Sequence, residues 1–433
     1  MKLKLLACSA ALFALSAGSF AQDQGALAPV QRALEGWSAE ETLDNIRNFS
    51  VSDVVVTTAR ALWYHGHASQ VSQTAILVRR QPVMELPYAL IPEIGDINGE
   101  TTLGTMSLDE FITNPESYIQ GFVVVHEGRI VYETYPGMHP LDPHWTASVA
   151  KVFASLAVDQ LIDDGLIDVN ETLGFYVPEF RGSAWEDVTV LDALDMTVGL
   201  NVAEYDRTSE VSIISRLMAA ELGTPLPSGE METMLGVMRD AEPDEQYGAP
   251  GDTYVYSSTV TQTLVFLVEA VSGQPWSDFY NDRVWSHMGV EGPLQVHLSP
   301  DGIAIVHGPT SLNLRDLARV GMLYTPSWPL ISTQRAVSPA ALARIQDTAR
   351  TNEFYLAGDG TRFSVNLGDD TVLTAAHQWD AVWEDGDFFK SGLNTQGLYV
   401  SPERDLVIAY FATEPTQMMQ RYLRPIATSG LFD

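Results

Sequence analysis

The chain is poor in cysteine and in basic residues. Its 433 residues include one cysteine, Cys8, and 24 Lys+Arg against 56 Asp+Glu, a formal net charge of −32. A single thiol excludes a disulfide framework and a metal site built from several thiolates. The acidic excess repels nucleic-acid phosphates and anionic lipid, so a nucleic-acid partner is excluded. We interpret this charge as a hydrated surface that favours solubility.

Motifs that mark several kinds of hydrolase and metal site are also missing. The sequence has no Gly-x-Ser-x-Gly elbow, no His-Glu-x-x-His pair and no phosphate-binding glycine loop. Asp96, Asn98 and Glu100 do not complete the oxygen-ligand pattern of a calcium loop. The sequence therefore predicts neither a metal nor a cofactor, and it argues against the α/β-hydrolase and zinc-hydrolase classes.

Long apolar runs are limited to the N-terminus. Residues 5–20 are apolar, follow Lys2 and Lys4, and end in the small-residue pattern Ser19–Ala21. The run is shorter than the roughly 20 residues that a membrane span needs. We expect a signal peptide over residues 1–21, cleavage after Ala21, a periplasmic or secreted protein, and no membrane span after processing.

The remaining chain divides into a part without recognisable motifs and a part that carries them. Residues 22–115 form an N-terminal extension of unknown role. We expect it to be irregular, apart from a helix-like stretch at Ala39–Asn48, with Pro and Gly interruptions over Pro82–Gly104. From Gly121 onwards the pattern becomes regular.

This regular part has strand patterns at both ends and helical patterns in the middle. Two β-rich runs, Phe122–His126 and Arg129–Tyr132, flank a Glu-Gly turn and predict a hairpin. Helical spacing then covers residues 148 to about 290. We expect one sheet whose halves are separated by a helical insertion, with the site in the cleft between them. The other predicted elements are helices at Val190–Met196, Thr259–Val271, Asp278–Met288 and Thr416–Ala427, and strands at Thr371–Ala375, Leu398–Val400 and Leu406–Phe411.

Ser148 and Lys151 stand three residues apart at the start of the first long helix. This spacing puts the hydroxyl and the amine on one helical face, where they can hydrogen-bond. A serine becomes a nucleophile when a base takes its proton, and a desolvated lysine can be that base. The helix N-terminus also offers amide dipoles to a developing oxyanion. Alone the pattern is weak, because most Ser-x-x-Lys tetrads in a long chain lie on solvated helix surface.

Further segments follow in order around this tetrad: His126–Glu133, Val188–Leu200, Pro250–Ser258, Arg315–Gly321 and Lys390–Gly392. Together they resemble the serine β-lactamase and penicillin-binding family, in the branch that holds class C β-lactamases, carboxylesterases and 6-aminohexanoate-dimer hydrolase. The resemblance implies a mixed α/β (α+β) fold, with an antiparallel sheet flanked by helices and a mostly helical insertion. It covers residues 118–433, and we assign 116–433 to one domain of this kind.

The resemblance also implies catalytic roles. Ser148 attacks a carbonyl, Lys151 and Tyr256 share its proton, and water releases the acid from an acyl-enzyme. Tyr256 is expected to have its ionised form favoured by a nearby lysine cation and to pass a proton to the leaving group. The backbone amides of Ser148 and Leu393 would form the oxyanion hole. Without the resemblance, Tyr256 would be interpreted as a packing residue.

Lys390, Ser391 and Gly392 stand where the family keeps Lys-Thr-Gly on the strand that lines its site. Lys390 would then meet a substrate carboxylate. The alternative is an ordinary strand-end lysine that balances local acid. The acidic residues near it are Asp380, Glu384, Asp385 and Asp387.

Two further positions relate to the substrate. Tyr205 lies about as far after the nucleophile as a substrate-contacting tyrosine of 6-aminohexanoate-dimer hydrolase. Ser258 replaces an asparagine that grips the substrate amide in many β-lactamases and peptidases, and Val198 replaces a usual serine. The serine at position 258 argues against a β-lactam substrate. Lys390, in contrast, retains a cation that could bind the carboxylate shared by β-lactams, peptidoglycan stems and carboxy-terminated oligoamides.

The sequence thus predicts an exported serine hydrolase that cleaves a small-molecule carboxylic ester or amide through an acyl-enzyme. Two alternatives within the class are a D-alanyl-D-alanine carboxypeptidase and a β-lactamase. A third, from another class, is a catalytically silent binding module with the same fold. The sequence does not predict an oligomeric state, and it assigns no role to His144, His307 or His377.

Overall fold

The computed structural model describes most of the chain beyond residue 29. The described residues are 30–50, 52–55, 57–205, 212–226, 228–347, 352–368, 371–416 and 418–432. The predicted signal peptide, residues 1–21, lies outside them. None of the helices in these ranges is long and apolar enough to cross a membrane.

Within the described residues the strands pair in three antiparallel sheets. The main sheet has the order β5-β4-β13-β12-β11-β10-β9, a second has the order β1-β7-β8-β6, and β2 pairs with β3. The strands are β1 (Thr74–Leu77), β2 (Asn98–Thr101), β3 (Gly104–Ser107), β4 (Ile119–His126), β5 (Arg129–Thr134), β6 (His144–Trp145), β7 (Leu294–His297), β8 (Thr310–Leu312), β9 (Thr374–Ala376), β10 (Trp379–Val382), β11 (Phe388–Gly392), β12 (Gln396–Ser401) and β13 (Leu406–Ala412).

The α-helices lie before the main sheet's first hairpin, between its two halves and at the end of the chain. They are α1 (Ala39–Arg47), α2 (Ser52–Val55), α3 (Ala59–His67), α4 (Leu108–Thr113), α5 (Lys151–Asp163), α6 (Leu173–Tyr176), α7 (Val190–Leu194), α8 (Ile213–Glu221), α9 (Met234–Arg239), α10 (Ser258–Ser272), α11 (Trp276–Arg283), α12 (Leu314–Met322), α13 (Pro339–Gln346), α14 (Asn352–Ala357), α15 (Gly360–Ser364) and α16 (Leu423–Ala427).

The main sheet joins the two ends of the regular part of the chain. β13 pairs with β4 on one side, with Val407 opposite Val125, and with β12 on the other. Every residue of β13 is buried, which explains its unbroken apolar sequence, because a strand covered on both faces has no polar side. Helix α12 packs across β13, β4 and β12. The predicted antiparallel sheet with a helical insertion is confirmed.

The central helices α5 and α10 pack against each other within the insertion. α5 is buried along nearly its whole length, from Lys151 to Leu161, so it is not amphipathic. α10 begins at Ser258 after its N-cap Ser257, whose side chain accepts a hydrogen bond from the Val260 amide. Each helix therefore starts at one of the residues that the sequence analysis singled out.

The second sheet was not predicted. Its edge strand β1 pairs with β7, with Thr74 opposite His297, and comes from the segment expected to be irregular. Leu77 and Phe111 from the same segment belong to the main hydrophobic core. The helix-like stretch expected at Ala39–Asn48 is confirmed as α1, whereas the expectation of irregular structure is wrong where α2–α4 and β1–β3 lie. The domain boundary at residue 116 stays a prediction.

The end of the chain also differs from the expectation. Instead of one helix over Thr416–Ala427, a 3₁₀ helix covers Met418–Tyr422 and the short α16 follows. Pro425 lies in the first turn of α16. Proline lacks an N–H and clashes with the preceding turn, so it is tolerated in a first turn and would break a longer helix.

Candidate active site

Along the chain, Ser148 lies between strand β6 of the second sheet and helix α5. It belongs to a single 3₁₀ turn, Ala147–Ala150, that leads directly into α5. Val149 and Ala150 are fully buried, whereas Ser148 is half-buried and so reachable from solvent. Ala147 has a φ of 48°, a left-handed conformation that is uncommon for a residue with a side chain. Such backbone persists where its surroundings fix it, which is frequent at functional sites.

Lys151 is the first residue of α5 and is fully buried. Its Nζ atom donates a hydrogen bond of 2.8 Å to Ser258 Oγ and lies 5.2 Å from the centre of the Tyr256 ring. The Ser258 amide in turn donates a hydrogen bond of 2.7 Å to Glu204 Oε2. The serine at position 258 therefore binds the lysine amine that the sequence analysis placed beside the nucleophile.

Tyr256 connects Ser148 to Lys390 of strand β11. Its hydroxyl is hydrogen-bonded to Ser148 and accepts a 3.3 Å bond from Lys390 Nζ. Its main chain is fixed on both sides, because the amide donates to Asp359 Oδ2 and the carbonyl accepts from the Glu204 amide, both at 2.9 Å. The structure thus places Ser148, Tyr256 and Lys390 in one hydrogen-bonded group.

The protonation of Tyr256 differs from the expectation. Burial raises the pKa of Tyr256 well above 10, and the carboxylates of Asp380 and Glu204 raise it further, while the bond to Ser148 opposes them. The prediction that a neighbouring lysine would favour the ionised form is wrong, because desolvation and two carboxylates outweigh it. Tyr256 is a neutral phenol at neutral pH.

Lys390 on β11 is fully buried and forms an ion pair with Asp380 of the adjacent strand β10. Asp380 also accepts hydrogen bonds from the amide and the hydroxyl of Ser391, at 2.8 and 2.6 Å. Burial lowers the pKa of Lys390, and the Asp380 carboxylate opposes that shift. The charge of Lys390 is thus paired inside the protein, which favours the interpretation that it balances local acid. Its Nζ atom still faces Tyr256, 4.6 Å from the ring centre.

Gly392 brings the end of β11 against the chain that precedes Ser148. A Cβ atom at Gly392 would lie 2.8 Å from the carbonyl oxygen of Thr146 and 3.0 Å from Cβ of Ala147. Because these separations are too short for a Cβ atom, only glycine fits at position 392. The next residue, Leu393, is partly buried and packs with Trp145 and Ala147. The two amides expected to form the oxyanion hole therefore belong to chain segments that touch.

Tyr205 lies on the outer side of Tyr256, with 6.3 Å between the ring centres. The guanidinium carbon of Arg362 stands 3.5 Å above the Tyr205 ring, and Phe363 packs on Tyr256 at 5.1 Å. Helix α15 thus covers the tyrosine pair. A substrate contact for Tyr205 stays a prediction, and the sequence analysis did not find the residues that cover it.

Three carboxylates surround the site: Asp380 was named only as local acid near Lys390, and Glu204 and Asp359 were missed. One of them had a detectable signal, because Asp385-Gly386 is a typical hairpin turn. The observed register, with Ala381 opposite Phe389, follows from that turn and brings Asp380 beside Lys390. Glu204 and Asp359 reach Tyr256 from loops remote in sequence, and no local pattern points to them.

Two surface cavities lie elsewhere. One of about 510 Å³ is lined by residues 182–184 and 239–243, and one of about 530 Å³ by residues 76, 78–82 and 291–293. Neither contains a residue of the group around Ser148. Among the described residues, no cluster of three or more His, Cys, Asp or Glu side chains is arranged to hold a metal ion.

Half-buried Ser148 thus lies in one cluster with the buried side chains of Lys151, Tyr256 and Lys390. The Beta-lactamase family model matches residues 119–428, so the chain belongs to the β-lactamase family and is a hydrolase. It is 25% identical over 375 residues to 6-aminohexanoate-dimer hydrolase of Paenarthrobacter ureafaciens, an alignment that covers 82% of this chain and 85% of the relative.

Solved structures agree on the fold. "Putative 6-aminohexanoate-dimer hydrolase from Bacillus anthracis" superposes with a TM-score of 0.69 at 20% identity, over 85% of this chain and 92% of that one. "EstCE1, a hydrolase with promiscuous acyltransferase activity" superposes with a TM-score of 0.53 at 16% identity, over 72% and 94% of the two chains. These structures confirm the predicted fold, and the family model confirms the predicted family.

Proposed function

We propose that the protein hydrolyses a small carboxylic ester or amide through an acyl-enzyme on Ser148. The observation that carries this proposal is the shared hydrogen-bonding of the Tyr256 hydroxyl, which meets both Ser148 and Lys390. A serine hydroxyl in contact with a proton acceptor, at the start of a helix and half-open to solvent, is the arrangement that nucleophilic catalysis needs.

In this proposal Tyr256 relays protons without becoming a phenolate. A neutral phenol accepts through its oxygen and donates its own proton. As Ser148 Oγ bonds to the carbonyl carbon, its proton passes to Tyr256, and the phenol proton passes to the leaving oxygen or nitrogen. Water then reverses the sequence: it attacks the acyl carbon and gives its proton to Tyr256, while Tyr256 returns one to Ser148 Oγ. Each half-reaction restores the neutral tyrosine.

Lys151 and Lys390 both place their amine nitrogens close to this relay. The two Nζ atoms lie 5.2 and 4.6 Å from the centre of the Tyr256 ring. Lys151, as a desolvated neutral amine, is the partner proposed to share the nucleophile's proton. The backbone amides of Ser148 and Leu393 are proposed to stabilise the oxyanion of the tetrahedral intermediate, since such donors contribute most where charge develops.

The test is hydrolysis of a substrate panel by the wild type and by Ser148→Ala. The panel contains p-nitrophenyl butyrate, nitrocefin, a D-alanyl-D-alanine peptide and the linear 6-aminohexanoate dimer. We expect turnover of an ester or of the oligoamide by the wild type alone. Preference for the peptide or for nitrocefin would identify a carboxypeptidase or a β-lactamase instead. Acyl capture without turnover would indicate a binding module, and full activity of Ser148→Ala would reject the nucleophile.

Export is a separate part of the proposal. The basic, apolar and small-residue pattern of residues 1–21 supports a cleaved signal peptide. We expect the mature protein in the periplasm or the medium with an N-terminus at Gln22. N-terminal sequencing of the protein recovered from fractionated cells tests this, and an intact Met1 in the cytoplasmic fraction would contradict it.

A further inference from the structure

The turn between β11 and β12 has an unfavourable backbone. Leu393, Asn394 and Thr395 connect the strands, and the last two have φ values of 58° and 65°. Left-handed backbone is rare for a β-branched residue such as Thr395 and costs free energy. Because Leu393 supplies one of the proposed oxyanion amides, the contacts that hold this turn also determine where that amide lies.

Part of the support comes from the strands next to the turn. The Thr395 hydroxyl donates to Glu414, both at 2.9 Å to the carbonyl oxygen and at 2.9 Å to Oε2. Gln396 Nε2 donates to the carbonyls of Leu393 and Asn394, at 3.2 and 3.1 Å. These bonds hold the backbone of the turn and leave the side chain of Asn394 to other partners.

Those partners come from the N-terminal segment, outside the part of the chain that the family model matches. Thr57 Oγ1 donates to Asn394 Oδ1 over 3.0 Å, and Asn394 Nδ2 lies 3.3 Å from His65 Nε2. His65 Nδ1 lies 3.2 Å from Thr413 Oγ1, so a neutral ring protonated on Nδ1 satisfies both contacts. Burial lowers the pKa of His65 well below 6.5 and keeps the ring neutral. Both ends of the Asn394 amide are thus bound by residues of one segment.

The same segment also holds the chain on the other side of the proposed oxyanion hole. The His65 ring stacks on Trp145, with 5.1 Å between ring centres. Trp63 and Tyr64, also on α3, pack in one apolar cluster with Trp145 and Ala147, and Leu393 packs against that cluster. Helix α3 therefore contacts both chain segments that carry the two amides.

We propose that α3 and Thr57 position the oxyanion hole by fixing the distance between the amides of Ser148 and Leu393. This inference rests on the proposed function. Oxyanion donors act over a narrow distance range, near 3 Å from the developing charge, and a displacement of about 1 Å can cost about 100-fold in rate. Thr57 is thus a positioning residue that acts through Asn394 and does not touch the substrate.

The test replaces the Thr57 hydroxyl by a methyl group of the same shape. Thr57→Val removes the bond to Asn394, Thr57→Ser restores it, and Thr113→Val is the matched control. Thr113 is exposed and its hydroxyl donates to the Asp109 carbonyl of its own helix, far from the turn in sequence. The readouts are kcat and KM for p-nitrophenyl butyrate, the unfolding temperature, and inhibition by phenylboronic acid. In that inhibitor the serine oxygen adds to boron, the proton leaves to solvent, and a tetrahedral anion forms.

We expect Thr57→Val to lower kcat by about 10-fold and to raise the inhibition constant of the boronic acid by a similar factor, with KM and the unfolding temperature little changed. Thr57→Ser is expected to recover both values, and Thr113→Val to match the wild type. Equal kcat and inhibition in Thr57→Val and the wild type would overturn this inference alone. A wild type that turns over none of the panel substrates and does not bind the boronic acid would overturn the proposed function and this inference with it.

Discussion

Tyr256 connects the nucleophile to a buried ion pair, and its hydroxyl is the group on which the proposed chemistry depends. Because burial and two carboxylates keep it neutral, it can act in both steps as donor and as acceptor. Lys390, which donates to the Tyr256 hydroxyl, is itself paired with Asp380, so its charge is already balanced.

We expect Tyr256→Phe to lower kcat by about 100-fold or more, because it removes the proton relay and leaves the ring in place. The free energy of unfolding should change little. Steady-state kinetics on the preferred panel substrate, with thermal unfolding alongside, measure both. The matched control is Tyr355→Phe, which loses a hydroxyl bonded to the Asp380 carbonyl and no contact with Ser148. Normal turnover by Tyr256→Phe would remove this residue from the mechanism.

The ion pair of Lys390 and Asp380 gives a prediction for stability. Asp380→Asn leaves a fully buried ammonium group without its carboxylate, and breaking such a pair costs about 3–5 kcal/mol. We expect a loss of that order in the free energy of unfolding by urea. Asp282→Asn is the control, because Asp282 pairs with Arg80 on the solvent-exposed surface and should cost about 1 kcal/mol or less. Equal losses in the two variants would show that burial of the Lys390 pair has no special cost.

At the scale of elements, the site depends on the close approach of β11 to the turn that carries Ser148. In Gly392→Ala the new methyl group would lie 2.8 Å from a backbone oxygen, so the strand has to move away. We expect kcat to fall by about 100-fold, because a shift of about 1 Å misplaces the proposed oxyanion donor. Kinetics of the purified variant measure this.

A second glycine provides the control for that substitution. A Cβ atom at Gly66, on helix α3, would meet nothing within 4 Å. Gly66→Ala should therefore stabilise the protein by about 0.5–1 kcal/mol through helix propensity and leave kcat unchanged. A Gly392→Ala enzyme as active as Gly66→Ala would contradict the close-approach argument.

Sequence patterns predicted the elements whose signals are local. The hairpin β4–β5 and the helices that start at Lys151 and Ser258 follow from short runs of residues, and so do the motifs at their ends. Strand β1 was missed because it is short and pairs with a strand more than 200 residues away. Helix α3 was missed for a related reason. Its residues Trp63 and His65 contact Trp145 and Asn394, which are remote in sequence, so no local pattern indicates their role.

At the scale of the whole molecule, buried histidines affect how stability depends on pH. Burial lowers the pKa of His297 from 6.5 to about 4, and its Nε2 atom has no hydrogen-bond partner among the described residues. In the unfolded chain the His297 ring is therefore protonated below about pH 6.5, whereas in the folded protein it is protonated only below about pH 4. Stability contributed by the neutral ring is complete above pH 6.5 and is lost as the pH falls through this window.

We expect His297→Gln to reduce the loss of unfolding free energy between pH 6.5 and pH 4 by about 1.4 kcal/mol per pH unit, the effect of one proton. Urea unfolding at several pH values in this range measures the slope. His139→Gln is the control, because that ring is exposed. A slope in His297→Gln equal to that of the control would mean that His297 titrates alike in both states.

The pairing of β13 with β4 has a consequence for how the protein is made. β4 ends at His126, whereas β13 begins at Leu406, so the middle of the main sheet is missing until nearly the entire chain has left the ribosome. Contacts of such long range form slowly, and the β4 edge of the hairpin β4–β5 stays unpaired until β13 has been synthesised. A product that stops before Leu406 lacks β13, so the hairpin β4–β5 cannot join the other strands of the main sheet.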